Sequence, residues 1–241
     1  MLIFSVLTFT SCSKKVTENS DNNNRATTIE SVEITDVPVQ TKDIISLFNQ
    51  SLDRIRIYKN SYVKSVKREI TDIDVDTLSV ILKSKNAFKS VFGCTDVKNF
   101  HDFSKSENDF IGNLPKGNIT EDDITSISAE LDEEAICITV ELSAVKNPTE
   151  ENPVFKYCDS FMTVDSIKSN MKNFNIKSEV TSVVTDKTVV VARIDKATSD
   201  ILSYSVTFEE QFSLIDVTLD EFEGKDVTAK TKSEVVFNNF S

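Results

Sequence analysis

The sequence predicts an α+β protein, with an antiparallel, curved sheet packed against helices drawn from the N-terminal half. Two observations carry this. A helical stripe of apolar residues begins at Thr41, and from residue 179 to the C-terminus apolar and polar residues alternate in short segments. The short polar links between those segments predict a meander rather than crossovers.

Residues 1–12, MLIFSVLTFTSC, come first. An apolar run broken only by Ser5 and Thr8 leads through Thr10 and Ser11 to Cys12, and Lys14 and Lys15 follow. This order resembles a bacterial lipoprotein signal ending in a lipobox. The resemblance implies cleavage before Cys12, a diacylglycerol on its sulfur, and an extracytoplasmic, membrane-anchored protein. The apolar run falls far short of the ~20 residues that a spanning helix needs. Residues 13–40 are rich in Ser, Thr, Asn and Asp and read as a disordered tether, with a coil span on the order of 30 Å. Within it, residues 31–40 carry an alternation, interrupted by Pro38, that fits a short edge strand.

Residues 41–241 read as one α+β domain. Ile44, Leu47, Phe48, Leu52, Ile55 and Tyr58 form the stripe of an amphipathic helix, with Thr41 placed to cap it and Asp43 in its first turn. Tyr62, Lys64, Val66, Arg68 and Ile70 continue as an alternating strand. A second helix is predicted over 77–92, burying Leu78, Ile81, Leu82, Phe88, Val91 and Phe92, with Gly93 at its end. Residues 94–123 read as a long connection with a turn at Pro115 to Gly117. A hairpin over 124–145 turns Ile136, Ile138, Val140 and Leu142 to one face and Cys137 and Thr139 to the other.

After a loop at 147–153, a short helix is expected from Thr163 or Asp165 to Phe174, with Ile167, Met171 and Phe174 inward. Strands then follow at 179–184, 188–194, 201–209, 212–219 and 227–237, with turns at Asp186-Lys187 and at residues 195–200. In 201–209, Leu202, Tyr204, Val206 and Phe208 share one face and Ser203, Ser205 and Thr207 the other, as in a strand buried on one side.

The balance of 27 basic against 39 acidic residues, a formal charge of −12, opposes binding to nucleic acid or to an anionic membrane surface. Membrane attachment is therefore assigned to acyl chains on Cys12. The absence of Trp argues against a carbohydrate platform, and four Gly and four Pro argue against Gly-rich phosphate loops and low-complexity architecture. Cys94, Cys137 and Cys158 allow three single pairings or three reduced, buried thiols, and no C-x-x-C pair suggests zinc.

No set of catalytic motifs is present, so no catalytic residue, cofactor or metal is assigned. His101, next to Asp102, reads as a surface or capping residue. Ser61 and Lys64 spell S-x-x-K and Ser20-Asp21-Asn22 spells S-D-N, but the order is wrong for penicillin-recognising enzymes and K-T-G is missing. Asp72, Asp74 and Asp76 set carboxylates at alternate positions, as a calcium loop begins. The Gly and Glu that such a loop needs are replaced by Thr77 and Lys83, so these acids read as a strand end and a helix cap. Asp220, Glu221, Glu223 and Asp226 read as a solvated turn.

Three stretches, DIISLFNQSLDRIR, LPKGNITEDDI and VVVARIDKATSDILSYSV, carry a resemblance to small lipoproteins of uncharacterised function from clostridial-type anaerobes. Asp43, Phe48 and Asn49 match the first piece of that pattern, Pro115, Gly117, Thr120 and Asp123 the second, and Asp195 with Thr198 the third. Ser199 departs from it, standing where glycine is usual. The resemblance implies an envelope location and no reaction. The expectation is a non-catalytic binding module for an apolar ligand or an envelope protein. The alternatives are a structural envelope module or a metal-dependent hydrolase built on Asp72, Asp74 and Asp76.

Overall fold

A computed structural model describes residues 34, 36–75, 86–133, 135–219 and 222–241. Helix α1 (Thr41–Tyr58) is the first element among the described residues. Strand β1 (Ser61–Val75), the helical segment α2 (86–91), β2 (Thr95–Asp102), α3 (Glu107–Gly112), β3 (Ser126–Asp132), β4 (Ala135–Leu142) and the short β5 (Val145–Lys146) follow. Helix α4 (Val164–Asn173) leads into three long strands, β6 (Lys177–Asp195), β7 (Ile201–Leu219) and β8 (Phe222–Asn238).

Every pairing is antiparallel, in the order β2-β1-β8-β7-β6-β4-β3, with β5 also on β6. The C-terminal meander β6-β7-β8 is therefore the centre of the sheet, and the first strand, β1, lies beside the last.

Several expectations change at this level. The predicted turn at Asp186-Lys187 is a bulge inside the single strand β6, where Lys187 takes a φ of 48° and the register shifts. The segments 201–209 and 212–219 are likewise one strand. At 19 residues, β6 and β7 each run roughly 60 Å. The connection read over 94–123 contains β2 and α3. Strand β2 escapes an alternation test because it is an edge strand that leaves Val97 and Phe100 exposed.

At α1 the cap is Gln40, with Thr41 the first helical residue. In α4 the cap is Thr163, which exchanges bonds with Ser166, and Phe174 is exposed rather than inward. Leu202 is also exposed; a register shift gives its place in the core to Ile201. The proposed strand at 31–40 is not formed at residues 34 and 36–40, where the Ile34 amide donates to the Lys196 carbonyl. Of the second predicted helix, residues 77–85, with Leu78, Ile81 and Leu82, lie outside the described residues. Phe88, Val91 and Phe92 are fully buried, and Gly93 follows at a φ of +64°.

The described helices α1 and α4 and both cores lie on one side of the sheet. In the first core, α1 sets Ile44, Phe48, Leu52 and Ile55 against the Ile136–Leu142 face of β4, Val190, Ala192 and Ile194 of β6, and Tyr204, Val206 and Phe208 of β7. Tyr62 stacks there on His101 at 4.9 Å and packs on Phe110 and Phe237. In the second core, Phe88, Phe92 and Phe212 stack in sequence under Ile167 and Met171 of α4.

The second and third of the three stretches singled out in the sequence pack on α1. The Asn49 amide donates to the Ile119 carbonyl at 2.8 Å and accepts from the Ile119 amide at 3.0 Å, in the manner of a paired strand. Gly117, at a φ of +67°, passes so close to α1 that a Cβ there would lie 3.0 Å from an Asp53 carboxylate oxygen. Thr120 and Asp123 form a reciprocal capping box. Asp195 accepts from the amides of Ala197 and Thr198 and from the Thr198 hydroxyl, so the turn forms with Ser199 at a φ of 60°. Asp200 then holds Arg54 of α1 and Lys59 at its C-cap, each at 2.8 Å.

Candidate binding site

Between the two cores the apolar phase of the sheet is interrupted. Thr185 on β6, Glu210 on β7 and Thr231 on β8 are direct cross-strand neighbours, all buried and all on the core side. One step along, Arg68 of β1 faces Ser233 of β8. The Arg68 Nε donates to the Ser233 hydroxyl at 2.8 Å, and its Nη2 lies 3.0 Å from the Glu210 carboxylate. Burial pushes the Glu210 carboxyl up to about 7, while the Arg68 charge and the Met162 amide pull it down.

This polar seam holds down the segment that crosses it. Over residues 157–162, the Tyr204 hydroxyl donates to the Tyr157 carbonyl at 2.9 Å, and Lys64 donates to Asp159 at 2.6 Å. Arg68 donates to the Ser160 carbonyl, and the Met162 amide donates to Glu210 at 2.8 Å. Four sheet side chains thus tie one strap across the boundary between the cores.

The seam opens at one end into a cavity. Strand β2 pairs with β1 only from Ser61 to Arg68, because β2 starts at Thr95 opposite Arg68. Beyond that point no described strand covers the outer edge of β1, and a cavity of about 780 Å³ lies there, reached by Arg68, Ile70, Ile73, Phe88 and Cys94. A bulge after Ile70 shifts the phase of β1, so Arg68, Ile70 and Ile73 stay on the core side while Asp72 and Asp74 turn outward and are exposed. Burial raises the Cys94 thiol above its usual range, against the lowering effects of Arg68 and the Ile70 N–H.

The remaining sequence-derived candidates separate. Cys12 and Asp76 lie outside the described residues. Among the described residues no group of three His, Cys, Asp or Glu side chains is placed to hold a metal ion. His101 is buried, which corrects its reading as a surface residue, and it pairs through Nδ1 with Asp109 at 2.8 Å rather than with the adjacent Asp102. The Ser61 hydroxyl contacts that of Ser241, while Lys64 goes to Asp159 and Asn113. Cys94, Cys137 and Cys158 are free thiols. Of the acidic group at 220–226, Asp226 accepts from the Asp216 amide.

Arg68 and Glu210 are the residues that sequence reasoning passed over. Their signal was present, since each is charged in the inward phase of its strand: Arg68, like Lys64, alternates with Tyr62, Val66 and Ile70, and Glu210 stands between Phe208 and Phe212.

Comparison of the chain with protein-family models, with curated proteins and with solved structures gives no match. No described helix is long and apolar enough to cross a membrane.

Proposed function

We propose that the protein is a lipid-anchored extracytoplasmic binding module, attached through Cys12, that holds an apolar or amphiphilic ligand in the cavity at the open edge of β1. The observation that carries the binding reading is this cavity, whose size falls in the range of small-molecule sites and whose core side presents Ile70, Ile73 and Phe88. The anchor rests on the MLIFSVLTFTSC stretch.

A second reading, docking of an envelope protein, is favoured by a different surface. The sheet face opposite the helices carries Val63, Val189, Val191 and Val236 among Ser and Thr. Phe100, 58% exposed, stands near its margin.

Native mass spectrometry of the protein extracted from its own host in mild detergent tests both parts. Cleavage before Cys12 with the added mass of two or three acyl chains supports the anchor, and release of an apolar compound supports carriage. An unmodified N-terminus overturns the first, and an acylated protein with nothing bound turns the reading toward a protein partner.

A further inference from the structure

The cavity is mixed in character but sorted by side. On the outer side of β1 and β2 lie Lys67, Glu69, Asp72 and Asp96, where Lys67 and Glu69 pair at 3.4 Å. Lys89 stands on α2, so three basic and three acidic groups border the space and it carries no net field for a polyanion. On the core side Ile70, Ile73 and Phe88 are apolar, while Arg68 and its cross-strand neighbour Thr95 are polar.

Arg68 is a prepared cation. Its side chain is only 5% exposed, and its Nε and Nη2 are taken by Ser233, Ser160 and Glu210. None of the hydrogen bonds among the described residues ends on Nη1. Gly93 stands beside that nitrogen, and a Cβ at residue 93 would come within 2.9 Å of it. A side chain there would displace the guanidinium, so glycine lets Arg68 keep its place at the wall of the cavity. A planar, always-charged guanidinium, fixed by its other nitrogens, suits a single carboxylate better than a phosphate, which generally gathers several donors.

We propose that the cavity takes an amphiphilic carboxylate, its carboxylate on Arg68 and its alkyl chain along Ile70, Ile73 and Phe88. This rests on the ligand-binding reading and narrows it to a class. Cys94 supplies a reporter, because it lines the same cavity and is half-buried, whereas Cys137 sits on the opposite face of the sheet.

The test uses the full chain, with sodium decanoate below its micellar concentration and decanol at matched concentrations. Alkylation by N-ethylmaleimide is followed peptide by peptide. Decanoate is expected to slow alkylation of Cys94 about tenfold at ten times its dissociation constant, leaving Cys137 unchanged. Decanol is expected to protect roughly tenfold to hundredfold less effectively, for want of the charge-assisted bond.

Two variants separate site from stability. Arg68→Met with Glu210→Leu removes the charge without leaving an unpaired carboxylate, and should bring decanoate down to the level of decanol. Thr95→Trp fills the cavity with the ion pair intact and should abolish protection by both. Equal protection by decanol and decanoate overturns the carboxylate assignment while leaving the ligand-binding reading. No protection by either overturns both, and protection that survives Thr95→Trp places the ligand elsewhere and overturns the site.

Discussion

Arg68 and Glu210 meet at 3.0 Å in the middle of the sheet, with an apolar core on either side of the polar seam they belong to. The pair lies where the two cores abut, and the 157–162 strap is tied to both of its members. Burial of such a pair makes its loss more consequential than its presence is stabilising, because the desolvation of two charges offsets most of their attraction.

The first expected outcome concerns pH. Glu210 titrates near 7 in the folded chain and near 4.5 when unfolded, with burial the larger cause and Arg68 opposing it. The folded protein therefore keeps a proton that the unfolded chain releases. The contribution of this group to stability is complete below about pH 4.5, falls as pH rises to about 7, and is flat above that. Urea denaturation across this range should show the slope, and Glu210→Gln should remove it; an unchanged slope in the variant would assign it to other groups.

Arg68→Met should be costly and pH-dependent. Leaving Glu210 buried without its partner is expected to cost about 3–5 kcal/mol at pH 8. At pH 5.5 the carboxyl takes up a proton and the loss should shrink. Arg68→Met combined with Glu210→Leu should recover most of it, as read from urea midpoints at both pH values.

Asn49→Ala removes a donor and an acceptor from the Ile119 backbone at once. A loss of about 1–3 kcal/mol is expected, with a fall in Tm of roughly 2–4 °C per kcal/mol for a chain of this size. Hydrogen exchange should quicken at the Ile119 amide before it quickens in β6 or β7. Uniform acceleration would mean that this bridge is not local.

The three thiols should separate by reactivity. Burial pushes the Cys158 thiol up to about 12, whereas Cys94 and Cys137 are half-buried. In native protein at pH 8, N-ethylmaleimide should modify Cys94 and Cys137 and spare Cys158, and in urea it should reach all three. Native labelling of Cys158 would show that the strap opens readily.

Periodicity made much of the fold legible. The α1 stripe and the Ile136–Leu142 face are local consequences of side chains meeting one apolar layer, so the spacing in the chain records them. What escaped depends on distant partners. The length of β6 could not be read across Asp186-Lys187, because a bulge and a turn use the same polar residues, and only pairing to β7 decides between them. Strand β2 was hidden because an edge strand has little apolar phase to display. The cavity was invisible for a related reason: it exists because β2 begins opposite Arg68, a register that no local pattern encodes.

The adjacency of β1 and β8 has a bearing on how the molecule is made. Residues 61–75 emerge well before their long partner, paired through Val227 to Asn238, which follows the other strands of the sheet, and the Ser241 amide closes back on Ser61. Until then, among the described residues, β1 has only the eight residues of β2 beside it, and the first core lacks Val235 and Phe237. Such long-range closure favours slow folding. The nascent chain must carry an open, half-apolar strand until β8 is made, and a chain without β8 would leave β1 without its inner neighbour.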